Sequence, residues 1–335
     1  MKEALLYIKL AQQKVHCQLC AHECKVPEGK FGFCGVRQNI QGVLYTHNFG
    51  KLVAANVDPV EKKPLYHFLP GTKTFSIASA GCNFRCGFCQ NWKISQSNYI
   101  NQKPGEEIAA TKIVNLAKQN GCQSIAYTYT EPTIYFEFAL KIAKLAKAAG
   151  LYNIFVTNGY MSARAISLIR PYLDAVNVDL KFFKEDAYKK ICSGSLGPVL
   201  DSVRLLNKLG IWTEITTLVI PRENDSVEEL SGIAEFISKV NKDIPWHISA
   251  FHPNYKFDAY PQTPKSTLNL AYELGKKQGL RYIYVGNIDG GEQDTRCNQC
   301  GEKIIKREDF SVIEANIIGN KCKFCQKELP GVYIS

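Results

Sequence analysis

From Thr74 onward the chain alternates two apolar patterns. Short runs rich in β-branched and aromatic residues read as strands at "TFSIASA", "SIAYTYT", "YNIFVT", "AVNVDLKF", "WTEITTLVI", "WHISAF" and "RYIYVG". Between them apolar residues recur at three- and four-residue steps, which predicts helices over Glu106 to Gln119, Ile134 to Ala148, Ala163 to Pro171, Val199 to Lys208, Val227 to Asn241 and Thr267 to Lys277. Repeated βα units with short joins predict a parallel sheet, and right-handed crossovers curl six of them into a full or partial (β/α) barrel. A flat doubly wound sheet shares this signature. In both, chemistry gathers beyond the C-terminal ends of the strands.

The flanks differ in character. Residues 1–73 are punctuated by Gly, Pro and Cys and form a Cys-rich N-terminal module with a connecting loop. Residues 74–290 form the βα body, and residues 291–335 a compact Cys-rich tail. The Pro-bounded stretch "NVDPVEKKPLYHFLPGT" reads as the connecting loop, with two lysines and His67 that could reach the mouth of the body.

Composition narrows the class. At 335 residues and 45% hydrophobic the chain can bury a large core. It has no apolar run of about 18 residues, the length of a membrane span. Its opening "MKEALLYIKLAQQK" lacks the apolar centre of a signal peptide, so the cytoplasm is the expected compartment. The net charge of +10 sits partly on helix faces such as "LKIAKLAKAAG", where lysines step by three and four. No dense basic run with interleaved aromatics points to nucleic acid.

Thirteen cysteines need an account, and eleven fall in three groups. Cys122 and Cys192 stand alone and read as small buried hydrophobes. Cys82, Cys86 and Cys89 follow the first predicted strand as C-x₃-C-x₂-C, one short of a tetrahedral set. A structural zinc would need a fourth ligand from elsewhere, whereas an iron–sulfur cube on three thiolates keeps one iron open. Cys297, Cys300, Cys322 and Cys325 have zinc-ribbon spacing and read as structural zinc. Cys17, Cys20, Cys24 and Cys34 fit either structural zinc or an auxiliary iron–sulfur cluster, and spacing does not choose.

Polar residues stand at successive strand ends: Glu131 in "YTYTEPT", Thr157 and Asn158 in "FVTNG", Asp179 and Lys181 in "VNVDLKFF", His252 in "WHISAFHP". Each also has a plain structural reading. Glu131-Pro132 suits a helix start, Asn-Gly is turn chemistry, and Asp179 with Lys181 shares one face as an ion pair. Val219 and Ile220 would flank a ligand or pack the core, and His247 is expected to be structural.

The loop "GCNFRCGFCQNW", with Phe88 just before its third cysteine, resembles that of the radical S-adenosylmethionine (SAM) enzymes. The resemblance implies a partial (β/α)6 TIM-like barrel and a [4Fe–4S] cluster on Cys82, Cys86 and Cys89. SAM would chelate the open iron, and its reductive cleavage would give a 5′-deoxyadenosyl radical that abstracts hydrogen. Glu131 matches the residue receiving the SAM ammonium in activases, with Tyr129 and Thr130 replacing two glycines. Phe88, Asn158, Asp179, Lys181 and His252 match other positions around SAM. With "CQLCAHEC", "FGFCGVR" and "DPVEKKPLYHFLPG", nearly the whole chain resembles the radical SAM component of the AmmeMemoRadiSam system, a relative of pyruvate formate-lyase activating enzymes. That implies AMMECR1-like and Memo-like partners, a reductant such as flavodoxin or ferredoxin, and a protein or small-molecule substrate. The alternatives are a glycyl-radical-enzyme activase proper, an RNA-modifying radical SAM enzyme, and a non-catalytic metal-stapled interaction protein.

Overall fold

The computed structural model describes residues 1–96 and 105–333. Its main sheet runs in strict chain order: β1 (Ala54–Pro59), β2 (Lys73–Ala78), β3 (Ser124–Tyr127), β4 (Tyr152–Thr157), β5 (Ala175–Asp179), β6 (Trp212–Val219), β7 (Trp246–Ala250) and β8 (Ile283–Gly286). β1 is antiparallel to β2, and β2 to β8 are all parallel. Between the parallel strands lie α1 (Ala110–Gln119), α2 (Phe136–Ala148), α3 (Ala163–Ile169), α4 (Leu196–Lys208), α5 (Val227–Val240) and α6 (Lys265–Lys277). A doubly wound sheet reverses strand order at a switch point; this one never does. Six βα units curl one way, and edges β1 and β8 do not pair with each other. The result is a partial barrel, open along one side.

Alternation along each strand builds two surfaces. Phe75, Ile77, Ile125, Tyr127, Phe155, Val176, Val178, Ile215, Trp246 and Ile248 join the large apolar core that includes the helices. The intervening positions face the trough. No helix among the described residues is long and apolar enough to cross a membrane.

Element bounds depart from expectation where tertiary contacts intervene. β1 lies in the stretch read as connecting loop; its exposed edge gives little apolar alternation. α1 starts at Ala110, because Glu106 and Glu107 pair with Leu52 and Lys51. α4 begins three residues early, with Pro198 in its first turn, where a missing N–H costs nothing.

The segment after β1 turns inward and floors the trough. Val60, Leu65, Phe68 and Leu69 pack against Ala126, Ile154 and Ala175. Leu69 N–H donates to the Val332 carbonyl at 2.7 Å and Val332 N–H to that of His67 at 2.8 Å, so the tail is stitched to this floor. His67 is fully buried, 2.6 Å from the Tyr284 hydroxyl through Nε2, and does not reach the mouth. Arg307, on the tail strand Lys303–Glu308, enters the barrel. It donates to the Tyr66 carbonyl at 2.7 Å and to Thr295 Oγ1 at 2.8 Å, with Nε 3.6 Å from buried Glu61.

Glu214 on β6 anchors the interior. It accepts from the backbone N–H of Tyr66 and His67 and from Trp212 Nε1, at 2.8–2.9 Å, and pairs with His247 Nε2 at 2.6 Å. Burial alone would raise its carboxyl, but His247 and the other donors hold it below the ordinary value. Its stabilisation is therefore fully present above the unfolded-state pKa of about 4.3. It is lost as pH falls through the lower folded-state value. Glu214→Gln should cost about 3 kcal/mol at pH 7, because the buried groups of Tyr66, His67, Trp212 and His247 that bond it lose a charged acceptor. Urea midpoints at pH 7 and pH 4 check this: the gap between wild type and variant should shrink in acid, and equal midpoints at pH 7 would refute it.

Candidate active site

The three-cysteine loop leaves β2 and is held from both sides. Arg85 N–H donates to the Cys192 carbonyl at 2.8 Å, Gly87 N–H to that of Ile191 at 3.2 Å, and Lys256 N–H to the Gly87 carbonyl at 3.0 Å. Residues Tyr188–Cys192 form a π-helical turn, closed by Ser193 in the left-handed conformation. Such turns recur at functional sites. Gly87 is required by contact: a Cβ there would meet the Phe257 ring at 2.5 Å. Cys192 is buried as expected, but it is also 3.4 Å from Cys86 Sγ, a relation its isolated position in the sequence conceals. Cys122 is simply core.

A cavity of about 930 Å³ opens over this loop. Cys82, Cys86, Cys89, Phe88, Glu131, Asn158, Asp179, Lys181 and His252 all line it. Glu131 is buried, with Oε1 accepting from Thr133 N–H, Thr133 Oγ1 and Thr157 Oγ1, and Oε2 from Asn158 N–H at 2.8 Å. It caps the turn Pro132–Tyr135 and faces the cavity at once, so its two readings coexist. Burial pushes its carboxyl up against these donors. Tyr129 takes φ +62°, the conformation a glycine would adopt freely. Its hydroxyl is fixed by Asp58, and its ring lies under Lys63 Nζ at 4.5 Å.

Asn158 donates to Asn83 Oδ1 at 2.7 Å, beside Cys82. Asp179 and Lys181 form the expected ion pair at 2.8 Å. Burial would lower the Lys181 ammonium, yet Asp179, Cys86 and Cys192 raise it well above its usual value, so it carries a charge into the cavity wall. His252 bonds the Asn287 carbonyl at 2.9 Å on the rim.

Val219 and Ile220 are fully buried in the core, while Thr216 and Leu218 take the cavity wall. His247, expected to be purely structural, lines the inner cavity as well as pairing with Glu214. Lys62 and Lys63 reach the cavity from the connecting segment, together with Glu61 and Tyr66. These last two had no local signal; Glu214 did, lying two residues before Thr216 on the inward face.

The donor chemistry fits a cluster with one open corner. Three thiols of one loop share the wall, and the neighbouring Cys192 does not line the cavity. Burial pushes the Cys82 and Cys89 thiols up, and contact with Cys192 followed by burial does so for Cys86. Metal binding would therefore displace protons there. The volume lies in the range of small-molecule sites, about 300–1,000 Å³. Glu131 Oε2 keeps acceptor capacity for a cationic ligand group, and Lys181 offers charge to an anionic one.

In the tail, the ligand sulfurs of Cys297, Cys300, Cys322 and Cys325 all lie within 4.8 Å of one another, with Sγ pairs at 3.6 and 3.8 Å. Four bonds of about 2.3 Å to one tetrahedral centre place sulfurs about 3.8 Å apart. This set can hold a metal such as zinc.

Comparison with known proteins agrees with this chemistry. Residues 76–237 match the model of the radical SAM superfamily. An uncharacterised protein of Methanocaldococcus jannaschii is 41% identical over 333 residues, covering 98% of this chain and 99% of the relative. The pyruvate formate-lyase-activating enzyme of Clostridium pasteurianum is 24% identical over 213 residues, covering 61% of this chain and 83% of that enzyme. Among solved structures, Streptococcus suis SuiB bound to S-adenosylmethionine shares the fold at TM-score 0.52 and 13% identity, over 69% of this chain and 53% of SuiB. With its three-thiol loop on the wall of a one-sided barrel, the chain belongs to the radical SAM superfamily, as an enzyme homologous to the glycyl-radical activating enzymes.

Proposed function

We propose that Cys82, Cys86 and Cys89 carry the [4Fe–4S] cluster and that Phe88, Glu131, Asn158, Asp179, Lys181 and His252 hold SAM against its open iron. Together the bound groups supply one-electron cleavage of the sulfonium and a 5′-deoxyadenosyl radical that abstracts hydrogen. The chain's own residues position and shield. Glu131 Oε2 receives the SAM ammonium, Lys181 orients toward an oxygen-rich group, and Asn158 fixes the Cys82 end of the loop through Asn83. One observation carries this reading: residues from four separate strand ends face the same cavity as the three thiols.

The substrate approaches from the side where β1 and β8 stay apart, past Lys62, Lys63 and the tail residues Asp309 and Phe310. We propose a segment of a partner polypeptide there, since the activating enzymes among its relatives carry protein-modifying names. The end-to-end motif set favours the AmmeMemoRadiSam reading, with AMMECR1-like or Memo-like proteins as partners, a flavodoxin or ferredoxin as reductant, and work in the cytoplasm. The experiment is anaerobic reconstitution with dithionite and SAM, adding each candidate partner in deuterated form. Equal 5′-deoxyadenosine and methionine, with deuterium carried into the nucleoside, are expected. Absence of 5′-deoxyadenosine would defeat the SAM-cleavage reading; cleavage without deuterium transfer would defeat the partner assignment.

A further inference from the structure

The N-terminal module carries four thiols that the active site does not use. Cys17, Cys20, Cys24 and Cys34 line one small pocket together with His22 and Arg37. Three features distinguish this group from the tail site.

The first is spacing. The tail cysteines meet the distance demanded by one tetrahedral ion. Among the described residues, no other three or more His, Cys, Asp or Glu ligand atoms come within 4.8 Å of one another. The N-terminal thiols therefore surround a common space without closing on a single ion, as do Cys82, Cys86 and Cys89. In a cube each sulfur meets a different iron, which calls for this wider set. The comparison with Cys82, Cys86 and Cys89 rests on the cluster reading of that loop.

The second is the donor aimed at the sulfurs. Arg37 is 2% exposed and places Nη1 3.5 Å from Cys17 Sγ, while its Nε has no protein partner. The guanidinium charge is balanced by Glu137, an ion pair that also docks the module on α2. Hydrogen bonds to ligand sulfurs are among the main controls on cluster potential. Cys20 and Cys24 are partly exposed, whereas Cys17 and Cys34 are buried. The pocket that the four thiols share has a volume of about 20 Å³. Seating a cluster there would require the partly exposed Cys20 and Cys24 to turn outward from the buried pair.

The third is location. His22 Nε2 lies 2.7 Å from the Asn83 carbonyl, next to Cys82. Arg85, between Cys82 and Cys86, bonds the Phe33 carbonyl and stacks 4.5 Å over its ring, next to Cys34. The two cysteine groups thus touch through one residue on each side.

We infer that Cys17, Cys20, Cys24 and Cys34 bind a second iron–sulfur cluster, seated against the loop of the first. The test is metal and acid-labile sulfide analysis of anaerobically prepared full-length chain, as wild type and as the triple variant Cys82→Ser, Cys86→Ser, Cys89→Ser. Wild type should hold about eight irons and one zinc, and the triple variant about four irons, four sulfides and one zinc, with a visible charge-transfer band. Adding Cys20→Ser and Cys24→Ser should remove the remaining iron. A triple variant with no iron and about two zincs would overturn the inference. So would wild type with about four irons and two zincs, a result that stands even if the variant fails to fold. Iron in wild type that survives the triple substitution entirely would instead defeat the active-site reading and leave this one standing.

Discussion

Cys86→Ser should reduce SAM cleavage to background while leaving a folded, soluble chain. The loop is held mainly by backbone hydrogen bonds, from Arg85 and Gly87 to the carbonyls of Cys192 and Ile191, which a serine at position 86 leaves intact. What changes is the donor. A serine hydroxyl ionises far less readily than a thiol and is a harder ligand, so the proposed three-thiolate cluster would lose a ligand. Cys192 is the nearest spare thiol, but it is fully buried and absent from the cavity wall. Anaerobic EPR of the reduced protein with and without SAM, alongside 5′-deoxyadenosine assay, measures both consequences. Wild-type turnover in the variant would exclude Cys86 as an essential ligand.

Cys300→Ser acts on stability instead. Cys300 is exposed, so its replacement opens no hole in a core; the loss runs through the metal. Structural zinc binding contributes apparent free energies of about 10–16 kcal/mol in small zinc modules. Even a loss of about 3 kcal/mol should lower the melting temperature by about 4 °C in a chain of this size. The tail also carries Arg307 into the barrel and pairs Val332 with the floor, so loosening it exposes Glu61 without its cation. Scanning calorimetry with zinc analysis should show one zinc fewer per chain and the lower melting point. An unaltered melting temperature refutes a structural role for this site.

The sequence made legible whatever is encoded over short distances. Cys82, Cys86 and Cys89 lie within eight residues of one another, and the polar residues at strand ends fall where βα topology puts chemistry. Parity along β6 was also present in the sequence: Glu214, Thr216 and Leu218 alternate with core residues, which is why the cavity takes Leu218 rather than Val219, while Ile220 lies past the strand's end in the core. β1 was hidden because an exposed edge strand of "AANVDP" has almost no apolar period. The buried partners Glu61 and Arg307, and the pair Cys86 and Cys192, join residues far apart in sequence. No local pattern announces them. Tyr129 shows the opposite case: a residue type that argued against a family feature holds a left-handed backbone angle, which glycine adopts freely.

The stitch between floor and tail sets an order on biosynthesis. His67 and Pro330, in contact through a ring nitrogen and a carbonyl, are separated by 263 positions. Helix and neighbouring-strand contacts can form as each unit leaves the ribosome, but this fastening waits for residues 330–332 to emerge. Until then the nascent trough lacks its last clasp, and the apolar side chains of Phe68 and Leu69 have no Val332 to close over them. The latch therefore closes last, after every strand of the vessel wall has been made.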